Sequence, residues 1–320
     1  MKLAGLLLGP AFLLVAESPF APGAKPVNLG SVGAGEGPAW NPKDGLYFSG
    51  GGRISRRGLD GKVQVFREQS GSANGLLWDP QGRLVVCESR GRRVTRIETD
   101  GSITVLADQY QGSRFNSPND LTIDLKGRIY FTDPRYGSRD GMEIRGSDGR
   151  EIEGVYRIDA PGKVTLLRTG LERPNGILVA PLDRFLYVAD NNNNKEGGAR
   201  KLWRFPLAGD GSVDPAGRKL IFDWEDSRGP DGVKMDRGGR LFVAAGLNQP
   251  HPPFETDRRK GGIYVLSPEG VLIEFLPIPV DEVTNCAFGG PTLRTLFITA
   301  GGTLWSIDVR TPGRVPYMSK

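Results

Sequence analysis

Glu36, Asn74, Asn119, Asn175, Asp231 and Asn285 occupy corresponding places along this chain, and each offers an oxygen ligand. Two carboxylates and four amides, with no imidazole or thiolate among them, form a donor set for a hard cation. Calcium takes about 6–8 oxygens at roughly 2.3–2.6 Å, with Mg2+, Mn2+ or Zn2+ as alternatives. An Asn or Asp ahead of Gly can also simply make a turn at a strand start. That explains Asn74-Gly75 and Asn175-Gly176, but Glu is not a turn residue, and a turn leaves the two carboxylates unexplained. Glu36, Asn175 and Asp231, with Asn119, are therefore the expected metal ligands, whereas Asn74 and Asn285 stay open between ligand and turn.

Other chemistries lack their residues. His251 is the single histidine and sits among Pro250, Pro252 and Pro253, and no Gly-x-Ser-x-Gly elbow accompanies it. A zinc site of several histidines and cysteines is excluded by count. No Gly-rich phosphate loop runs from a strand into a helix, so nucleotide cofactors are not expected. Cys87 and Cys286 have no metal-ligand spacing and read as small buried side chains.

The elements that must position the oxygen donors are repeats. PNDLTIDLKGRIYFTDP at 118–134 returns as ANGLLWDPQGRLVVCES (73–89), PNGILVAPLDRFLYVAD (174–190), PDGVKMDRGGRLFVAAG (230–246) and TNCAFGGPTLRTLFITA (284–300). GEGPAWNPKDGLYFSGG (35–51) is a degenerate first copy. A unit of about 40–55 residues is the size of a propeller blade. Each copy reads as two short strands about a turn such as Asp79-Pro80-Gln81-Gly82, and a second hairpin follows, as at 92–108, 154–170 and 261–277. The expected fold is all-β, a six-bladed β-propeller with four-stranded blades, in which equivalent positions of the innermost strands ring the axis. The sixth unit lacks a fourth strand, and residues 26–32 precede the first unit unused, so this N-terminal segment is expected to close the ring.

Residues 1–24 read as a signal peptide: Lys2 precedes a mostly apolar run to Ala16, with imperfect cleavage candidates near Ala16, Ala21 and Ala24. Residues 25–320 then form a single propeller domain, exported to the periplasm or cell exterior, or cytoplasmic if the start is not a leader. The run is too short for a membrane-spanning helix, which needs about 20 apolar residues. A net charge of +5 and the arginines at 53, 56, 57, 90, 92, 93 and 96 read as solvated strand faces, since no nucleic-acid-binding motif accompanies them. A monomer is expected, with no nucleic-acid partner and no integral membrane segment.

The strings EGPAW (36–40), RFNSPNDL (114–121), YFTDPRYG (130–137), RPNG (173–176) and GPDG (229–232) resemble the gluconolactonase/regucalcin-like family, which includes senescence marker protein and luciferin-regenerating proteins. The resemblance spans roughly residues 30–309. It implies a six-bladed propeller with a divalent metal, usually calcium, held at the channel mouth by Glu36, Asn175 and Asp231, and Asn119 touching metal or substrate. It also implies hydrolysis of a lactone or related ester, a sugar lactone foremost, with the metal as Lewis acid and Asp231 as general base. Arg114, Asp133 and Tyr136 become candidate substrate contacts, and Asp190 a further pocket candidate. Some members carry an arginine two residues before the matching asparagine, whereas Arg114 lies five before Asn119. The polar stretch 191–200 and the Pro-rich stretch 247–260 are expected to flank the site as lids. The alternative reading is a non-enzymatic propeller that binds calcium or a partner, and a third is a phosphotriesterase-like hydrolase.

Overall fold

The computed structural model describes residues 17–315. The chain forms six antiparallel four-stranded sheets arranged as a β-propeller, with no α-helix among the described residues. In the first blade the strands are Glu36–Asn41, Gly45–Gly50, Arg53–Arg57 and Val63–Arg67, running from the axis outward. The sixth is built from Val283–Gly289, Thr295–Ala300 and Gly302–Asp308, and its outer strand is Val27–Ala34 from the other end of the chain. Val27 pairs with Ser306 and Ser31 with Thr303 in antiparallel register, so the expected closure is found. The ring thereby has no open edge at its seam.

Local chemistry explains the hairpins. Asp79 Oδ1 accepts hydrogen bonds from the amides of Gln81 and Arg83, both at 2.9 Å, and its Oδ2 accepts one from Arg83 Nε at 2.7 Å. Asp124 with Arg128, and Asp236 with Arg240, repeat this arrangement. Gly82, Gly127 and Gly239 have φ of 75°, 79° and 83°, which suits glycine in these turns. The strand after each turn is a run of apolar residues. Leu84–Glu88, Ile129–Asp133 and Leu241–Ala245 are buried throughout, because a neighbouring blade covers each face. The outer strand Val63–Arg67 is mostly exposed.

Blades are also latched by hydrogen bonds. Ser49 Oγ donates to Asn74 O at 2.6 Å, Thr132 Oγ1 to Asn175 O at 2.7 Å, and Thr284 Oγ1 to Gly35 O at 2.6 Å. Cys87 and Cys286 are free and buried, as expected of small core side chains. Residues 19–24 pack across the last two blades: Phe20 is 4% exposed and meets Phe242 of the fifth blade edge-on, and Ala21 N donates to Asp308 O of the sixth. Of the segment 1–24 that reads as a signal peptide, residues 1–16 lie outside the described residues. No helix among the described residues is long and apolar enough to cross a membrane.

Candidate active site

The six oxygen donors gather at one end of the axis because each lies at or just before the start of an innermost strand. Glu36 opens its strand, Asn74 and Asn175 are second in Ala73–Trp78 and Pro174–Val179, and Asn285 is third in Val283–Gly289. Asn119 and Asp231 stand two residues ahead of Leu121–Ile123 and Val233–Met235. The glycine that follows several of them is required by the next blade, and at Gly37 by its φ of 57° as well. A Cβ on Gly37 would lie 2.0 Å from Asn74 O, one on Gly176 2.0 Å from Asp231 O, and one on Gly232 2.1 Å from Asn285 Oδ1. Gly75 N donates to Asn119 O at 2.7 Å across the same gap. Neighbouring ring residues are thus spaced by direct backbone contact.

Within the ring, several oxygens have no partner. Asn175 Nδ2 donates to Tyr136 Oη at 2.8 Å, leaving Asn175 Oδ1 buried without a hydrogen bond among the described residues. Asp231 Oδ2 accepts from Arg228 Nη2 at 3.2 Å, and Oδ1 is buried with no partner. Asn74 Oδ1 is orphaned in the same way, and Asp120 Oδ2 has no hydrogen bond, only the Lys234 ammonium at 3.7 Å. Glu36 Oε2 accepts from Gly37 N at 3.0 Å and from Asn285 Nδ2 at 3.1 Å. Asn285 is therefore engaged: its Oδ1 also accepts from Lys234 Nζ at 3.2 Å.

Burial pushes the Glu36 carboxyl well above the usual carboxylate range; the charges of Asp231 and Asp120 add to the shift, and hydrogen bonds from Asn285 and Gly37 oppose it. Burial likewise raises Asp231, to about 7, against the pull of Arg228 and with the charges of Glu282 and Asp120 adding. A cation at this place would meet both the orphaned oxygens and the mutual repulsion of the neighbouring Glu36 and Asp231 carboxylates. Glu36, Asn175 and Asp231 could hold it, with Asn119 beside them. Among the described residues no three His, Cys, Asp or Glu side chains cluster as a metal-holding group, so the amide oxygens are needed to complete this donor set.

Tyr136 joins the site. Its ring lies under the Arg173 guanidinium at 5.1 Å, and Arg173 is fixed by two bonds to buried Glu153, at 2.9 and 3.2 Å. Burial and the charge of Asp231 raise the Tyr136 hydroxyl far above its ordinary value, so it stays protonated. Arg114 is not brought to the ring: its side chain is 64% exposed and pairs with Glu143 at 3.2 Å. Asp133 is fully buried, and its oxygens accept the amides of Asn116 at 2.7 Å and Ser117 at 2.6 Å, so it supports the turn leading to Asn119. Asp190 does the same in the next blade, accepting from the amides of Glu172 and Arg173. Burial raises these two carboxyls to about 7 and about 6, with the amide bonds opposing.

Several charged residues at this end gave no signal in the sequence. Asp120 holds a place where most copies have Gly, and a lone Asp in that column is the only trace it leaves. Arg228, three residues before Asp231, pairs with it and also draws in Glu255 and Glu282 from separate segments. Long loops at 134–153, 192–199 and 246–261 rise on three consecutive blades, whereas the matching connections 51–52, 89–92 and 301 are short. The wall around the ring is thus high on one side and low on the other.

The far end of the channel holds a separate cavity of about 360 Å³ lined by Trp40, Trp78, Leu178, Met235 and Phe288 among others. No carboxylate lines it, so it has no group for proton transfer of the kind found at the ring. Lys234 reaches from its wall toward Asp120 Oδ2, at 3.7 Å, between the two ends.

Fold and site together define a six-bladed propeller with a carboxylate–amide ring at one mouth of its channel. Residues 34–302 match the SMP-30/Gluconolactonase/LRE-like region, and the chain belongs to that family. It is 31% identical to a gluconolactonase of Zymomonas mobilis over 87% of this chain and 79% of that protein. It is 26% identical to a pentonolactonase of Haloferax volcanii, covering 89% and 94% of the two chains. The solved structure of a gluconolactonase from Xanthomonas campestris superposes with a TM-score of 0.74 at 31% identity, covering 91% of each chain.

Proposed function

We propose that this chain hydrolyses lactones with the help of a divalent cation, calcium foremost, and that Asp231 is the general base. The observation that carries this reading is the Asp231 carboxylate, with Oδ2 tied to Arg228 and Oδ1 buried and unpartnered. Family membership and the lactonase names of the relatives support a lactone as substrate, a sugar lactone first. The orphaned Asn175 oxygen and the partly exposed Glu36 support Glu36 and Asn175 as cation ligands, with Asp231 meeting the cation through Oδ2 so that Oδ1 stays free for the proton, and with Asn119 at the substrate side. A cation bound there supplies Lewis acidity to the lactone carbonyl oxygen and lowers the pKa of nearby acids.

The chain's own residues do the rest. Asp231 Oδ1 takes a proton from water as the water oxygen bonds to the carbonyl carbon. The acyl–oxygen bond of the ring then breaks, and the proton on Asp231 passes to the departing ring oxygen, giving an open hydroxy acid. Tyr136 Oη, which accepts from Asn175 Nδ2, keeps that amide turned so that its oxygen is free. The high wall of loops at 134–153, 192–199 and 246–261 leaves the low side as the route of entry.

Hydrolysis of a panel of sugar and aliphatic lactones by chelator-treated protein, followed in a pH-stat with Ca2+, Mg2+, Mn2+ or Zn2+ added back, tests the reading. Ion-restored turnover that disappears in Asp231→Asn is expected. Tight calcium binding with no turnover on any lactone would instead make the ring a binding site without chemistry.

A further inference from the structure

A single buried guanidinium joins Asp231 to two more carboxylates. Arg228 is 6% exposed, and its Nη2 reaches Asp231 Oδ2 at 3.2 Å and Glu282 Oε2 at 2.9 Å. Its Nη1 lies 3.9 Å from Glu255 Oε1. Arg228 stands three residues before Asp231, Glu255 belongs to the loop 246–261, and Glu282 directly precedes the innermost strand of the next blade. Three carboxylates from three segments therefore share one planar cation.

A carboxylate turns readily about its last bond, which has broad and roughly two-fold preferences. What makes one oxygen of Asp231 differ from the other is its partner: Oδ2 is held and Oδ1 is not. A guanidinium does this better than an ammonium, because its fork donates along fixed directions to more than one carboxylate at once. We propose that Arg228 is a positioning residue for the hydrolytic reaction. It locks the plane of the Asp231 carboxylate so that Oδ1 is the working oxygen, and through Glu255 it makes that orientation depend on the loop 246–261. The proposal rests on Asp231 being the base.

Charge neutralisation alone would need only a cation at this place, so Arg228→Lys separates the two roles. Turnover of a lactone by the ion-loaded enzyme gives kcat and KM, and calorimetry gives the calcium affinity of the chelator-treated protein. In Arg228→Lys, kcat is expected to fall about 10²-fold, the cost of a reacting group displaced by about 1 Å. KM should stay within about threefold, because substrate binding does not use the lost geometry, and calcium affinity should fall far less than kcat, because Glu36 and Asn175 still hold the ion. The charge-balanced pair Arg228→Gln with Glu282→Gln guards against misfolding and should show the same split. Equal losses in kcat and calcium affinity, or failure of both variants to fold, would assign Arg228 to holding the fold and overturn the proposal. An active wild type with an unimpaired Arg228→Lys sinks this proposal alone, and a wild type inert on every lactone sinks the base reading and this proposal with it.

Discussion

Alanine at Gly176 would drive blade five away from blade four at the carboxylate–amide ring. An ideal Cβ there lies 2.0 Å from the carbonyl oxygen of Asp231, 2.9 Å from its carbonyl carbon and 3.0 Å from Gly232 Cα. Real Cβ atoms essentially never approach closer than 3.0 Å, so the two backbones must part by at least about 1 Å. The atoms met are main chain, so no side chain can swing aside to relieve the contact. Gly176 does not have the left-handed φ that would itself oppose alanine, which leaves the clash as the sole cause. Overpacking of this kind costs about 1–3 kcal/mol. Because the displaced residue is Asp231 and the displacing one neighbours Asn175, kcat should fall about 10²-fold as well. Denaturant unfolding of chelator-treated protein and pH-stat turnover measure the two effects. Gly209→Ala is the control: nothing lies within 4 Å of its added Cβ, and it should change stability by no more than about 1 kcal/mol. If Gly176→Ala keeps wild-type stability and turnover, the close approach of the blades does not set the ring and the reasoning fails.

Three further outcomes are expected. Asp231→Asn should lower kcat by about 10²-fold or more, the usual worth of a general base, while making the ion-free protein more stable at pH 8. The sign follows from burial: the folded pKa of Asp231 is raised to about 7, so its contribution to stability is complete below the ordinary carboxylate value near 4 and is lost as pH rises toward 7. Melting curves in chelator at pH 5 and pH 8 check this, and an Asn variant less stable than wild type at pH 8 would contradict it. Asp133 and Asp190 should titrate near 7 and 6 in a carbon-13 carboxyl NMR experiment, their raised values again favouring the fold at lower pH. Ordinary values would show that the amides of Asn116, Ser117, Glu172 and Arg173 outweigh desolvation. Phe20→Ala should destabilise the domain by about 3–5 kcal/mol, and a chain beginning at Lys25 should lose at least as much. N-terminal sequencing of an exported protein should then find a start before Pro19, and a stable mature chain beginning after Ala24 would refute the packing argument.

The repeat, the strand pattern and the Asp-x-x-Gly-Arg turns were all legible in the chain, because each depends on residues close together in sequence. Once blades are copies, equivalent positions must ring the axis, so Glu36, Asn119, Asn175 and Asp231 could be brought together on paper. The unpaired strand at residues 26–32 followed from counting strands in the last unit. Tyr136 could be proposed only by resemblance, and its bond to Asn175 depends on how the loop 134–153 folds back against Arg173. Asp133 looked like a pocket residue because it ends a strand at the ring's face, but the amides of Asn116 and Ser117 claim both of its oxygens. Arg114 is near Asn119 in sequence, yet the short hairpin Gln109–Tyr110 with Ser113–Arg114 carries it to solvent and Glu143. Asp231, Glu255 and Glu282 meet at Arg228 although loops of different lengths separate them. Periodicity reports which face of a strand a residue occupies. Which side chains from different blades and loops come within bonding distance is decided by the path of the connections, and that is a property of the folded chain alone.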